Sequence, residues 1–412
     1  MARSRVDAKK RMRIVYWGTY DLGKPRNRIL LRGLRENDVE VIEIHADVWS
    51  RIEDKSGLAG GWRRLGLLLR WLFRYPPLVA RYLCAPRHDA VMVGYLGQID
   101  VLVLWPFARL RGVPIVWDAF LSLYGTVVED RRMLSPRHPA ARGLFALEWL
   151  ACRVVDRIIL DTRAHAEYFA AKFGIAPERF AVAFVGVEPE AFPPRPSGDP
   201  RRDPGAPLTV LFYGQFIPLH GIDTIVRAAQ MTAGDAIDWV LVGRGQEEGR
   251  IRAMIDSGPD ARLRWIPWIP YAELKDWIHR ADVCLGIFGD SDKAARVIPN
   301  KVFQILATGT PLITRDSPAI RELLSPDTDG VWLIPPADPA ALAMAVRDQL
   351  RATEEGHRPT VSADLRARIL PQTVTVKLAG GASPQVWKKC VSTSTERTVS
   401  ATRKNQCIVP RQ

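Results

Sequence analysis

Three basic side chains that could bind a phosphate lie close together in the sequence: Lys293, Arg296 and Lys301. The segment 297–314 (VIPNKVFQILATGTPLIT) predicts a polar turn, an apolar helix, a Gly-Thr-Pro break and a short buried strand. The N-terminus of a helix carries unpaired N–H groups and the positive end of the helix dipole, so cations there are unfavourable to the helix itself. Their presence indicates an anion, and this arrangement predicts a phosphate site.

Two more predicted strands end in polar, glycine-containing junctions: YGQFIPLHG, from residue 213, ends the strand 209–213, and VGRGQ, from residue 242, ends the strand 238–243. A single Gly-x-Gly is typical of a plain turn. Three such junctions in one predicted sheet favour a shared ligand, because the carboxyl ends of parallel strands meet at one edge. These two loops supply the candidate residues Gly214, Gln215, His220, Gly243 and Arg244.

The order of apolar runs predicts the fold class. Short Val/Ile/Leu-rich strands alternate with helical stretches in both halves, which is typical of parallel sheets covered on both faces. We expect an α/β protein with two doubly wound, Rossmann-like domains facing across a cleft, which is the default binding site. The predicted strands are 13–17, 39–44, 90–94, 114–117 and 157–160, then 209–213, 238–243, 263–266, 283–288 and 331–334.

Composition suggests where the domains begin and end. A Pro-rich stretch that contains little able to pack divides the two halves, and the polar C-terminal region lacks an apolar period. The predicted divisions are a basic tail 1–12, a first domain 13–192, a linker 193–207, a second domain 208–350, and an irregular or disordered segment 351–412.

The overall composition is that of a soluble globular protein, with 412 residues, 47% apolar and 25% charged. Five cysteines occur with no C-x-x-C pair, which favours a reduced, cytoplasmic protein without a disulfide framework or a zinc site. No apolar signal-peptide core follows the basic N-terminus. The apolar run 91–110 is interrupted by Asp100, two glycines and a proline, so we expect a strand and a buried helix rather than a membrane span.

The net charge of +13 is unevenly distributed. Residues 1–13, 57–87 and 371–412 are strongly basic and the rest of the chain is mildly acidic, which argues against a nucleic-acid-binding protein. The internal basic segment alternates Arg with Trp, Leu and Phe and contains no acid. One interpretation is a helix that lies in the plane of an anionic membrane, on the inner face of the cell membrane. The alternative is an ordinary surface helix of the folded protein.

Three segments in order, FYGQFIPLHGIDTIVRAA, LVGRGQEEGRI and WIPWIPYAELKDWIHRADVCLGIF, resemble the donor domain of the family 4 glycosyltransferases of GT-B fold (glycosyl transferases group 1). The resemblance is good from residue 207 to 350 and looser from 11 to 190. It implies sugar transfer from a nucleotide-diphosphate-sugar donor to a lipid-linked or glycan acceptor, with retention of anomeric configuration and with neither a metal nor a cofactor. The third segment corresponds to the base-binding loop and includes Trp268.

The chain departs from the family pattern at charged positions. Where the family has two glutamates eight positions apart, this chain has Arg296 and Gln304, and the loop positions of the family's Arg and Lys hold Gln215 and His220. Our hypothesis is that the diphosphate is bound instead by the Lys293, Arg296 and Lys301 group, with Asn300 beside it. In the family the position of Arg296 contacts the transferred sugar, and Gln304 keeps one acceptor for a ribose hydroxyl.

The first half is expected to face the acceptor. The resemblance assigns this side to Thr19, Tyr20 and Arg26 after the first strand, and to Tyr124 after the fourth. Asp118 is the ionisable group at the fourth junction, where it would orient an acceptor hydroxyl or take its proton; a simple capping role is the alternative. Two other functions stay open, a non-catalytic nucleotide-sugar-binding subunit and a nucleotide-sugar epimerase or hydrolase on the same fold.

Overall fold

The computed structural model describes residues 11–48, 61–196, 205–259, 261–357 and 359–380. These residues form two six-stranded sheets with helices around them, and every strand pair whose register is defined runs parallel. The predicted fold class, two parallel α/β sheets of Rossmann type, is confirmed.

The first sheet has the strand order β2-β1-β3-β4-β5-β6. Its central strands are apolar on both faces, as expected for a sheet covered by helices; β3, for example, is buried throughout. The strands are β1 (Arg13–Gly18), β2 (Glu40–His45), β3 (Ala90–Val93), β4 (Ile115–Asp118), β5 (Arg157–Leu160) and β6 (Phe180–Val182).

Five α-helices connect or follow these strands: α1 (Pro25–Glu36), α2 (Gly61–Leu83), α3 (Gln98–Leu110), α4 (Pro139–Val154) and α5 (Arg163–Phe173). A one-turn π-helix, Gly125–Asp130, follows β4. Helix α5 is absent from the predicted elements, although both of its ends carry signals. Thr162 caps the N-terminus through its side chain, and Gly174 ends the helix in the left-handed conformation. No described helix is both long and apolar enough to span a bilayer.

The second sheet has the strand order β12-β11-β10-β7-β8-β9. The chain passes from β7 outward to β8 and β9, then returns to β10 on the other side of β7. This reversal creates a topological switch point at the carboxyl ends of β7 and β10, where doubly wound folds bind ligands. The strands are β7 (Leu208–Tyr213), β8 (Ile237–Val242), β9 (Leu263–Ile266), β10 (Val283–Leu285), β11 (Leu312–Arg315) and β12 (Val331–Ile334).

Helices cover both faces of the second sheet. Most of α10 is buried on every side, with Val302, Phe303, Ile305 and Leu306 fully enclosed, so this short helix is held firmly at the edge of β10. The helices are α6 (Ile222–Met231), α7 (Glu248–Ser257), α8 (Leu274–Arg280), α9 (Asp292–Arg296), α10 (Asn300–Thr308), α11 (Pro339–Glu354), α12 (Ala363–Arg368) and α13 (Pro371–Gly380).

The segment 351–412, expected to be irregular, contains the end of α11 and the helices α12 and α13, so the prediction was wrong up to residue 380. Ser362 caps α12 by accepting a hydrogen bond from Leu365 N–H. In α13, Val374 and Leu378 are both buried, one helical turn apart. Residues 1–10, 197–204 and 381–412, which cover the predicted basic tail, much of the linker and the end of the chain, lie outside the described residues.

By its internal contacts the chain divides into two compact units. The first comprises residues 1–119, 149–159 and 375–412, and the second comprises 120–148 and 160–374. The second unit thus begins earlier than the predicted boundary at residue 208 and includes the π-helix, α5 and the whole second sheet. Every residue of the candidate donor site lies in this second unit.

Candidate functional site

The loops after β7 and β8 lie against each other at the carboxyl edge of the second sheet. Gly214 and Gly243 have φ angles of +145° and +141°, which other residues rarely adopt. A Cβ atom on Gly243 would fall 1.8 Å from the carbonyl oxygen of Gly214, so the two backbones are in direct contact. The glycines are therefore required for this close approach of two loops, the first of which follows β7 at the switch point.

Lys301 reaches beneath the first of these loops from the first turn of α10. Its Nζ atom would lie 2.8 Å from a Cβ on Gly214 and is 3.8 Å from the centroid of the Phe212 ring. The residue is 5% exposed, and Nζ makes no hydrogen bond or ion pair with any described residue. Burial lowers the pKa of the Lys301 ammonium well below its usual value. A buried cation without a partner is costly, and an anionic ligand at this loop would offset that cost.

His220 lies beside Lys301 and is also buried. Its Nδ1 atom bonds the carbonyl oxygen of Gln215, within the same loop. Burial, and then the charge of Lys301, lower the pKa of His220 well below its usual value. The ring is therefore neutral near pH 7, with Nδ1–H as the donor and Nε2 left as an acceptor.

Gln304 lies one helical turn after Lys301 on the same face of α10. Its Oε1 atom accepts a hydrogen bond of 3.1 Å from the Tyr213 hydroxyl, and the residue is 8% exposed. The acceptor that the resemblance assigned to a ribose hydroxyl is thus already engaged by the protein. A ribose contact at Gln304 would have to share that oxygen or use the amide N–H groups.

Two of the three predicted phosphate-binding cations are paired with carboxylates. Lys293 Nζ lies 3.1 Å from Asp130 and 3.0 Å from the Thr126 hydroxyl. Arg296 lies 3.6 Å from Glu129, and its guanidinium carbon is 3.6 Å from the centroid of a tyrosine ring. The π-helix after β4 provides both acids, so these cations already have counter-charges within the unit. Of the three, Lys301 alone has no acidic partner among the described residues.

The acid that pairs with Arg296 belongs to a small network. Glu129 also accepts hydrogen bonds of 2.6 Å from the Tyr168 hydroxyl and from Lys172. The resulting three contacts lower the pKa of Glu129 against the opposing effect of its partial burial. Asp130, the next residue, is 6% exposed and paired with Lys293.

The remaining predicted donor residues line the same edge, and their side chains make no hydrogen bond to another described residue. Gln215 and Arg244 are exposed on the loops after β7 and β8, and Trp268, after β9, is 66% exposed. Asn300 is partly exposed at the first position of α10, where no side chain caps the helix. These positions are accessible to a ligand at the carboxyl edge.

In the first unit, Asp118 and Arg26 form a buried ion pair. Arg26 Nη2 lies 2.8 Å from Asp118 Oδ1 and Nε lies 3.0 Å from Oδ2, and the two residues are 1% and 0% exposed. From the sequence, Asp118 is expected to orient an acceptor hydroxyl or take its proton, and Arg26 to face the acceptor. That expectation is corrected, because this two-point contact satisfies both charges inside the protein.

The other acceptor-side candidates also make internal bonds. Thr19 binds the buried carboxylate of Asp100 through its N–H, at 2.7 Å, and through its hydroxyl. The Tyr20 hydroxyl donates to Glu43 at 3.1 Å. The Tyr124 N–H donates to Glu148 at 3.1 Å. Tyr124 is otherwise partly exposed.

Sequence reasoning missed the two carboxylates that hold the loops of the first sheet. Asp100 was treated only as an interruption of an apolar run, yet it is buried and accepts bonds from the loop after β1 and from the Tyr75 hydroxyl. Glu148 is fully buried in α4 and accepts bonds from Ser122, Leu123 and the next residue. A single acid within an apolar helix was the only signal. Among the described residues, no three His, Cys, Asp or Glu side chains form a group able to hold a metal.

Comparison with known proteins matches residues 207–352 to the family Glycosyl transferases group 1. The chain is 27% identical over 280 residues to WcaL of Escherichia coli, whose name assigns it to colanic acid biosynthesis as a glycosyltransferase, with 65% of this chain and 64% of that protein covered. It is 27% identical over 266 residues to D-inositol 3-phosphate glycosyltransferase 1 of Catenulispora acidiphila, covering 61% and 60%. The chain thus spans less than two thirds of the length of these two relatives.

The fold is similar to that of Anabaena HepE in complex with UDP, with a TM-score of 0.60, 15% identity, and coverage of 90% of this chain and 99% of that one. The resemblance to the glycosyl transferases group 1, which three sequence segments suggested, is therefore confirmed over the residues that contain these segments. The chain has the GT-B fold, and its residues 207–352 match the model of the glycosyl transferases group 1 family.

Proposed function

We propose that this protein is a glycosyltransferase that moves a sugar from a nucleotide-diphosphate-sugar donor to a lipid-linked or glycan acceptor, with retention at the anomeric carbon. The observation that carries the proposal is the buried ammonium of Lys301 beneath the Gly214 loop, which pairs with no group in the described part of the chain. The family match over the same residues supports it.

The proposed donor site follows from the chemistry of its groups. The diphosphate lies at the switch point, where Lys301 provides a cation and the loops after β7 and β8 provide backbone N–H groups. Neutral His220 adds no repulsive charge beside Lys301. Its Nε2 atom can accept a hydrogen bond from a hydroxyl group of the donor sugar or of the acceptor substrate. Exposed Arg244 and Trp268 are placed for contacts with the rest of the nucleotide.

The leaving group of this reaction is the nucleoside diphosphate. As the bond to the anomeric carbon breaks, negative charge increases on the diphosphate, and a fixed cation in a buried site stabilises that charge more strongly than one in water. We assign this role to Lys301 and propose that transfer proceeds without a metal. Addition of a chelator such as EDTA should therefore leave the rate unchanged; loss of activity restored by a divalent ion would contradict this part of the proposal.

The test of the reaction is acceptor dependence. Release of free nucleoside diphosphate from a panel of nucleotide sugars should require an added lipid extract or oligosaccharide acceptor. Release without an acceptor would instead indicate hydrolysis. If the nucleotide sugar binds but is never cleaved, the protein is a non-catalytic binding subunit, which is the second candidate function. This candidate stays open because position 296, where the family has a glutamate, holds an arginine that pairs with Glu129.

For the acceptor side, we propose that α2 associates with an anionic membrane surface. Leu72 and Phe73 are 63% and 73% exposed, with exposed Arg74 and Arg81 along the same helix. Exposed apolar side chains next to arginines fit the boundary between lipid head groups and acyl chains.

Flotation with vesicles tests this proposal. Binding should be stronger with phosphatidylglycerol than with phosphatidylcholine alone and should fall in a Leu72→Ser/Phe73→Ser variant. Leu110→Ser, which alters an 80%-exposed residue on α3, serves as the control. Equal binding to both lipid mixtures would rule out the anionic preference.

A further inference from the structure

A pocket of about 610 Å³ lies on the second sheet, near the amino ends of β7, β8 and β9 and away from the proposed donor site at their carboxyl ends. Its floor is built from two rows of side chains across adjacent strands. Register places Leu211 beside Val240 and Val240 beside Arg264, and in the next row Thr209 lies beside Asp238. Leu211 and Val240 are buried, so the floor is apolar in the middle and charged at the outer strand.

The wall of the pocket comes from α8. Trp277 and Arg280, three residues apart, lie on the same side of this helix and both line the pocket. The guanidinium carbons of Arg264 and Arg280 are 5.8 Å and 5.7 Å from the centroid of the Trp277 ring. At these distances the contacts with the ring are loose, and both guanidinium groups keep most of their N–H donors for another partner.

The charges in this pocket do not balance. It is lined by Arg262, Arg264 and Arg280 and by one acid, Asp238, which gives a net charge of +2. Asp238 is already used, because its carboxylate lies 2.7 Å from Arg262. Among the described residues, neither Arg264 nor Arg280 pairs with an acid, although both face one concave space.

We propose that this pocket binds a small phosphomonoester, with the phosphate between Arg264 and Arg280 and the organic part against Trp277. A phosphate dianion matches the charge of +2, and guanidinium groups bind phosphate oxygens in pairs. The volume lies within the range of small-ligand sites.

This pocket is distinct from the proposed donor site. Leu211 is the pocket residue of β7 that lies nearest to Gly214, three positions before it, so the pocket and the Gly214 loop are about 10 Å apart along the strand at roughly 3.3 Å per residue. Binding here does not depend on the proposed function, and it should occur whether or not the protein transfers a sugar.

Calorimetric titration of the full chain tests the proposal with three probes: inorganic phosphate, glucose 1-phosphate and uridine monophosphate. We expect one of the two organic phosphates to bind more tightly than inorganic phosphate. The probe that binds more tightly shows whether the pocket accepts a sugar phosphate or a nucleotide. An Arg264→Gln/Arg280→Gln variant should weaken that binding by about tenfold or more, since each arginine gives charge-assisted bonds. Trp277→Leu should remove the advantage of the organic phosphate over inorganic phosphate.

Two controls separate this pocket from other sites. Arg252→Gln removes a different exposed arginine, which lies 4.5 Å from the ring of Trp265, and should leave the affinity unchanged. Lys301→Glu disables the proposed donor site and should also leave it unchanged. The proposal is overturned if no probe binds, if inorganic phosphate binds as well as both organic phosphates, or if binding is lost in Lys301→Glu and kept in the double variant.

Discussion

The ammonium group of Lys301 lies directly beneath Gly214, so close that a Cβ atom on this glycine would be 2.8 Å from Nζ. The glycine therefore makes room for the lysine as well as for the turn. A lysine held against the backbone of this loop, at the switch point of a doubly wound sheet, fits the proposed diphosphate site.

Replacing Gly214 by alanine should disturb this arrangement. The φ angle of +145° is strained for alanine, and the added methyl group would push Lys301 away. We expect a loss of about 1–3 kcal/mol in the free energy of unfolding and weaker binding of nucleoside diphosphate. Gly249→Ala is the matched control, because this helical glycine has open space around it and the change should be neutral or stabilising by up to about 1 kcal/mol. Equal behaviour of the two variants in urea denaturation would contradict the proposed packing.

Lys301→Met should make the protein more stable in the absence of ligand. The substitution keeps a long side chain but removes a buried amine that has no partner among the described residues. We expect a gain of about 1–3 kcal/mol in the free energy of unfolding, measured in urea near neutral pH. Lys275→Met on α8 is the control and should change it by less than about 0.5 kcal/mol. A loss of stability in Lys301→Met would mean that the ammonium has a partner in the apo protein.

Nucleotide affinity should depend on pH through the same residue. Burial lowers the pKa of Lys301, and its titratable neighbours are His220, whose pKa is also lowered, and Tyr213, whose pKa is raised. A bound diphosphate favours the charged form and moves the lysine pKa back toward its ordinary value of about 10.4. Between these two pKa values binding takes up a proton, so affinity falls as pH rises, by up to about tenfold per pH unit.

Titration calorimetry from neutral pH to about pH 10 measures how the affinity changes with pH. This pH range lies below the ordinary lysine pKa. Lys301→Arg keeps its charge throughout this range and should bind with a nearly constant affinity. The same slope in both proteins would assign the linked proton to another group.

The buried pair of Asp118 and Arg26 should behave as a structural unit. Asp118→Asn leaves a buried guanidinium without its counter-charge and should cost about 3–5 kcal/mol in the free energy of unfolding. Replacing both residues by Leu and Met should recover most of this loss, because the buried charges are then removed together. If Asp118→Asn abolished transfer while stability stayed unchanged, Asp118 would instead be a catalytic residue.

The positions of most strands and that of Lys301 at the start of α10 could be predicted because they depend on local signals. Apolar runs, glycine-containing junctions and the Gly-Thr-Pro break each lie within a few residues of the elements they define. The match to a known family extended these signals over residues 207–352.

The state of the neighbouring cations could not be predicted in the same way. Lys293 finds its carboxylate 163 positions earlier in the chain, at Asp130, and Arg296 finds Glu129 in the same π-helix. The distant pairing of Asp118 with Arg26 is a similar case, 92 positions apart. No periodic pattern reveals which charges the fold will bring together, so three basic residues of similar appearance have different environments.

The most direct test of the account is the affinity of the protein for nucleoside diphosphates, measured by titration calorimetry with UDP, GDP and ADP. We predict that the wild-type protein and Lys275→Met bind one of them equally well. Binding should be weakened by about 10- to 100-fold in Lys301→Met and abolished in Lys301→Glu, with both variants folded. Unchanged affinity in the two Lys301 variants would contradict the assignment of this lysine to the diphosphate.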